Sequence, residues 1–442
     1  MPVNNGHGGL FCVAVLPLNF RLREAVVVAA AMLLSGCVPQ QEDRVTIRAS
    51  FWGGVQQSVI EQRIVDSFEA AHPEIRVQII NSGGRYAEKI QAMMIGGIEP
   101  DVIMVDLLVY HNWAARGVLD DLTSFIDALE KEDPFMPLSL ETFSWQGRYY
   151  AVPTNVHGLV TYFNRDVLAG SKIAPPDENW TWADLEKLGP ALSRHGGNSA
   201  APTDYACALP PPFFFMIGYG VKFFDDAHLP TRVTVADAPA AADAIDYWRR
   251  MHRNGWAVPR NTVLDQGESE MFRDGRIAFT FSGRYVTPIL AMNPGLNWDI
   301  APFPESPSGR VAPHGGTGLA ISKRTRNREA AQAFVRHYVS TAGSKIAVTG
   351  GRMVPVRRSS AYGDDFLALS PPAAMRRYSE TMEPGMSFSG GYMPGLLEIN
   401  ELVHRRLEQA LAEPELPAAE IVEGLAGDLR RWHERTKKKG VL

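Results

Sequence analysis

The sequence predicts an α/β protein with more than one lobe, and three observations carry that reading. The N-terminal third alternates strand and helix patterns in a βαβαβ series, which implies a parallel sheet with right-handed crossovers. The chain has 442 residues, and beyond Gly36 about 400 remain, more than one hydrophobic core usually organises. Its composition, 45% apolar and 21% charged, is that of a chain able to bury such cores.

The elements follow in order. Arg44 to Trp52 alternates as a strand and ends at Gly53-Gly54, and Val55 to Ala71 then has helical spacing until His72-Pro73 stops it. Ile75 to Ile80 reads as a second strand, Asn81 to Arg85 as a turn, and Tyr86 to Ile95 as a second amphipathic helix. Asp101 to Asp106 is a short apolar run of buried-strand type. Tyr149 to Pro153 leads into Thr154-Asn155-Val156-His157-Gly158 and an apolar strand from Leu159 to Phe163. Thr181 with Asp184 forms a capping box at the start of a helix. From about 186 to 300 the spacing is mostly helical, with an aromatic cluster at Phe213-Phe214-Phe215.

Ahead of this body, Arg21 and Arg23 precede an apolar stretch that starts at Ala25 and closes with Leu33-Leu34-Ser35-Gly36-Cys37. A basic segment, a short apolar segment and small residues before a cysteine read as a secretory signal, since a spanning helix needs about 20 apolar residues. The run resembles a bacterial lipoprotein signal. That resemblance implies a signal peptide over residues 1–36, a lipidated Cys37 as the mature N-terminus, and a polar tether over 37–43. Of the three cysteines, Cys12, Cys37 and Cys207, only Cys207 then stays in the body with a free thiol, so no intramolecular disulfide is expected. A formal net charge of −5 gives no footprint for nucleic acid.

Several blocks recur in an order that resembles the extracellular solute-binding proteins of family 1, the sugar-binding subunits of ABC importers. They are Gly83 to Ile90 with Pro100-Asp101-Val102, Ala114 to Leu122, Tyr150 to Pro153 with Tyr162 to Leu168, Trp180-Thr181-Trp182, Met271 to Phe279 with Ser282 to Tyr285, and Gly315 to Ser322. The resemblance implies a two-lobed fold of the type II periplasmic-binding-protein kind, each lobe discontinuous in sequence. The first lobe is expected to take 44–154 and 311–353, the second 155–310 and 354–442. It also implies a carbohydrate-like ligand held by hinge closure, ABC permease subunits as partners, a monomer, attachment to the envelope membrane by the lipid alone, and no cofactor.

A sugar presents hydroxyls at its rim and C–H faces above and below, so its cleft needs flat aromatic surfaces and convergent donors and acceptors. Ligands of parallel sheets gather beyond the carboxyl ends of the strands, which delivers Trp52, Gly84, Arg85, Tyr86, Asp106 and Tyr110 to one edge. Asn155 and His157 fall beyond the first expected hinge. Gly283, Arg284 and Tyr285 follow a later strand, with Tyr285 where the family often has a stacking tryptophan. Gly315 and Gly316 allow close backbone approach, and Tyr392 is expected to supply a wall. Bland readings stand beside these: Trp52 as a core aromatic, Asp106 as a helix N-cap, the glycines as turn formers.

Two other classes compete with a binding subunit. An envelope glycan-active enzyme needs two carboxyl groups placed across the scissile bond, and a ligand sensor needs the same cleft without transport. His-Glu-x-x-His, Cys-x-x-Cys, the P-loop and the Gly-x-Ser-x-Gly elbow are absent from the sequence, so no catalytic or metal-ligating residue is nominated. Oligosaccharide, monosaccharide, polyol and glycerol phosphate all remain open as ligands.

Overall fold

The computed structural model describes residues 44–438 except 54, 83–84, 196–201, 227–228, 352 and 388–393. The signal, Cys37, the tether, Gly84 and Tyr392 lie outside the described residues. In chain order the principal strands are β1 (Val45–Trp52), β2 (Ile75–Ser82), β3 (Val102–Asp106), β4 (Val152–Gly158), β5 (Val160–Asn164), β6 (Arg194–His195), β7 (Pro202–Ala208), β8 (Ile277–Ser282), β9 (Trp298–Ala301) and β10 (His314–Ile321).

They form two five-stranded sheets, ordered β2-β1-β3-β10-β4 and β9-β5-β8-β7-β6. β1 runs parallel to β2 and β3, as a βαβαβ series requires. β10 then returns antiparallel between β3 and β4. In the second sheet β8 is parallel to β7 and antiparallel to β5. The chain leaves the first sheet at Leu159 and re-enters it between Ala301 and His314.

Local chemistry explains these elements. Ile47, Ala49 and Phe51 alternate on β1 and are buried, while β3 is buried along its whole length because helices or strands cover both faces. Asp101 pins the start of β3, accepting the backbone N–H of Arg48 at 2.8 Å. The Thr181–Asp184 capping box is complete, and Asn164 caps the helix that follows β5 by accepting from the N–H groups of Asp166 and Val167. The helix Val55–Ala71 has the bounds its spacing predicts.

The middle of the chain departs from expectation. Helices are present, but β7 and β9 lie among them. Short strands buried on both faces carry no alternation that would separate them from helix segments. The buried apolar residues form two clusters, the first spanning the first sheet and one face of the second (Tyr162, Ile277, Trp298), the other lying on that sheet's opposite face (Phe163, Phe279, Phe281). Ile64, Phe68, Phe334 and Tyr338 pack with the first, and Trp182 meets Phe215, Phe281 and Phe303 edge-on or tilted in the second. The C-terminal part divides between them. Val354 to Met382 contributes to the first cluster, where the N–H of Met136 reaches the carbonyl of Val356 at 2.8 Å. The helices Leu396–Ala412 and Ala418–Lys438 pack in the second.

Candidate functional site

A cavity of about 400 Å³ opens where the chain crosses between the sheets. From the first sheet, Asp106, Leu107 and Leu108 reach it past the end of β3, Asn155 and His157 from β4, and His314 to Thr317 from β10. Facing them are Pro211 and Phe214, Glu268, Phe281 on β8 and Tyr285 beyond it, with Met353 from the segment after the helix Thr341–Thr349. Topology therefore brings strand ends from both sheets to one place, as α/β sheets commonly do for ligands.

Asp106 is 9% exposed, and its Oδ1 accepts the N–H groups of Leu108 and Val109, each at 3.1 Å. It is a turn cap and a cavity-lining group at once. Burial pushes its pKa up to about 6, against those two hydrogen bonds. Asn155 holds the segment after Met353 through its Oδ1, which accepts from Val354 N at 2.9 Å. That leaves its amide Nδ2 able to donate.

His157 is 2% exposed and packs near the ring of Tyr285, centroids 6.5 Å apart, and edge-on to Tyr378. Its Nδ1 lies 3.2 Å from the carbonyl of Gly158. A carbonyl only accepts, so Nδ1 carries the proton of the neutral ring and Nε2 keeps a lone pair. Burial holds the imidazole neutral, with its pKa pushed down to about 4. Gly283 makes this packing feasible: a Cβ there would sit 2.0 Å from His157 Cε1. Its carbonyl accepts from Tyr162 Oη at 2.8 Å, and the hydroxyls of Tyr162 and Tyr378 meet at 2.5 Å behind the wall.

Gly315 faces open space, whereas a Cβ on Gly316 would press on Val156 and the carbonyl of Asn155. Tyr285 is 48% exposed and presents its ring to the cavity. Glu268, which the sequence gave no reason to nominate, begins the helix Glu268–Arg273 and accepts from Thr280 Oγ1 of β8. Burial pushes its carboxyl up to about 7.

Other nominated residues stand elsewhere. Tyr86 is a core residue, donating to the carbonyl of Met104 at 2.8 Å and meeting Ser50 Oγ at 2.9 Å. Tyr110 is fully buried and donates to the carbonyl of Phe143 while accepting from Tyr150 N. Both rings turn inward because the helices they begin bury that face against the sheet. Arg85 is exposed at φ 64° and pairs with Glu88 at 3.6 Å. Arg284 is 3% exposed, but its guanidinium donates to the carbonyls of Met353 and Val348 and lies over the ring of Phe366. It ties the loop after β8 to the backbone from Val348 to Met353 instead of lining the cavity. Trp52 ends β1, its backbone paired with Ser82.

Sequence reasoning missed Phe214, Glu268, Phe281, His314 and Met353. The triple phenylalanine was a visible signal for the first; the others carry none, because their place comes from packing. Among the described residues no group of three or more His, Cys, Asp or Glu side chains could hold a metal ion. No described helix is long and apolar enough to cross a membrane.

A family model of bacterial extracellular solute-binding proteins matches residues 53–345. The maltodextrin-binding protein of Bacillus subtilis is 24% identical over 326 residues, covering 70% of this chain and 74% of its own. The mannitol-binding protein of Pseudomonas aeruginosa is 22% identical over 329 residues, 70% of this chain and 73% of its own. Among solved structures, an ABC substrate-binding protein of Listeria monocytogenes in complex with cycloalternan superposes with a TM-score of 0.76 at 19% identity, covering 89% of this chain and all of that one. The likeness is one of fold: two α/β lobes joined by crossing segments, in the type II arrangement of periplasmic binding proteins.

Proposed function

Because the chain belongs to the bacterial extracellular solute-binding proteins, we propose that it captures a carbohydrate or related polyol between its two sheets and passes it to the permease subunits of an ABC importer. The observation that carries this reading is the double wall of the cavity, with Asp106, Asn155, His157 and Gly315 on one side and Phe214, Phe281 and Tyr285 on the other. Polar groups that fix orientation, set against rings that cover C–H faces, suit a hydroxylated ring or chain. The curated relatives with maltodextrin and mannitol in their names support that class of ligand.

Hinge closure supplies the mechanism. A ligand that touches both walls does so fully only when the lobes are closed, so its differential affinity shifts the population toward that form. The permease then reads the outer faces of the closed pair. The lobes were expected to divide near 154/155, 310/311 and 353/354. Because β4 stays in the first sheet to Gly158 and Val354 to Met382 packs in the first cluster, we propose the first crossing at Leu159, the second between Ala301 and His314, and the last beyond Met382. Trp52, Gly84 and Tyr392 are kept as proposed ligand contacts. Gly316 backs β10 against Val156, and Arg85 stands at a helix start.

The family is exported, and the chain belongs in the cell envelope. We propose that Cys37 carries the lipid that holds it there, as a monomer. A maltooligosaccharide-binding relative from Streptococcus pneumoniae is itself named a lipoprotein, which supports the anchor.

The test is thermal unfolding of the exported chain against sugars, oligosaccharides and polyols, with chemical analysis of each mixture afterwards. A ligand at 100 times its Kd adds about 2.7 kcal/mol to stability. A shift with the compound recovered intact supports capture. Conversion of a glycan would replace it with an enzyme, and no shift across the panel would remove the carbohydrate reading. Mass analysis of the mature N-terminus reads whether Cys37 bears the lipid.

A further inference from the structure

We infer that the preferred ligand of this cavity is a hydroxylated molecule carrying a protonated amine, an amino sugar or amino polyol, and not an anion or a purely neutral sugar. The inference rests on the proposed carbohydrate-class capture and narrows it.

The cavity is rich in acceptors and negative. Asp106 enters from the end of β3 and Glu268 from the opposite wall, so each sheet brings one carboxylate to the same space. No lysine or arginine lines the cavity among the described residues. Arg284, next in sequence to Tyr285, spends its guanidinium on two backbone carbonyls and the Phe366 ring. His157 offers a third acceptor: its Nδ1–H is committed to Gly158, and its Nε2 has no partner among the described residues. Donors stand beside these in the Asn155 amide, the Tyr285 and Thr317 hydroxyls and the His314 ring, but none of them is a lysine or arginine.

Such a lining discriminates by charge. A phosphate or carboxylate entering it would meet two carboxylates without a compensating cation, which repels it. A neutral sugar can donate hydroxyl hydrogens to these oxygens, but it brings no positive charge, so closing the lobes over it either buries the carboxylates unpaired or makes them take up protons. An ammonium meets both needs, donating up to three hydrogens and supplying the missing charge. The rings of Phe214, Phe281 and Tyr285 add faces that attract a cation. The upward displacement of both carboxyl pKa values, to about 6 and about 7, agrees with groups that lack a positive neighbour.

The experiment is isothermal titration of the exported chain at pH 7 with matched pairs: glucose and glucosamine, galactose and galactosamine, sorbitol and 1-amino-1-deoxysorbitol, with N-acetylglucosamine and glucose 6-phosphate as further probes. At least one amine should bind tenfold or more tightly than its neutral parent, N-acetylation should abolish that advantage, and the phosphate should not bind. In Glu268→Gln the amine-to-parent ratio should fall threefold or more. Neutral parents that bind as tightly as their amines, or tight binding of the phosphate, would overturn this inference while leaving carbohydrate capture intact. Binding by no member of any pair would overturn the inference and count against the carbohydrate reading as well.

Discussion

Along the wall supplied by β3, β4 and β10, the cavity-facing groups follow one another within single strands, Asn155 then His157, and His314 through Thr317. The opposite wall gathers Phe214 from one helix and Glu268, Phe281 and Tyr285 from a helix, a strand and the turn after it. The first wall is main chain and short polar groups; the second is rings and one carboxylate. Strands fix position closely, so the first wall is suited to set ligand orientation, and the second to set the shape and charge it accepts. The two halves of the site therefore respond differently to substitution.

The contact that joins the walls should be the most fragile. Gly283→Ala places a methyl 2.0 Å from His157 Cε1, and neither partner has room, since His157 is wedged between Tyr285 and Tyr378 and the Gly283 carbonyl is held by Tyr162. Overpacking of this kind costs about 1–3 kcal/mol of stability, and ligand affinity should fall with it. Urea unfolding measures the first and titration the second. A variant as stable as the parent would mean that the two walls do not meet through this glycine.

Tyr285→Ala probes the second wall alone. Tyr285 is half exposed in this form, so its loss should leave stability nearly unchanged and remove about 1–3 kcal/mol of binding. A loss of stability without a loss of affinity would reverse the roles given to the walls.

The same contrast governs what was legible in the sequence. The βαβαβ series of the first sheet was readable because its strands alternate or run apolar between clear Gly and Pro stops, and Asp106 could be placed from it, whereas Asn155, His157, Gly315 and Gly316 were nominated through the resemblance to the family. Tyr86 and Tyr110 were misjudged at the same edge, because a residue at a helix start faces core or cleft according to a rotation that spacing does not report. In the second sheet β7 and β9 were hidden among helices. Glu268 was invisible: a Gly-Glu-Ser-Glu stretch reads as a solvated helix start, and only the packing of Thr280 against its carboxylate reveals its burial. Arg284 was assigned to the ligand although its hydrogen bonds go to the backbone carbonyls of Val348 and Met353.

The smallest expected effect isolates Glu268 by its protons. Its folded pKa is raised to about 7 from an ordinary value of 4.5, so the native chain binds more protons than the unfolded one between those values. Stability must then decline as pH rises through that window. Asp106, raised to about 6, acts in the same sense, while His157, lowered to about 4, acts in the opposite sense below pH 6.5. Comparing the parent with Glu268→Gln cancels both neighbours. The two chains should be equally stable near pH 4, where the carboxyl is protonated folded and unfolded alike. The variant should gain on the order of 1 kcal/mol by pH 8, because Glu268 must there be buried as an anion or reprotonated. Parallel pH profiles would show that the carboxylate is solvated in the open cavity and costs the fold nothing, and the charge that the second wall brings to the ligand would then be screened by water until closure.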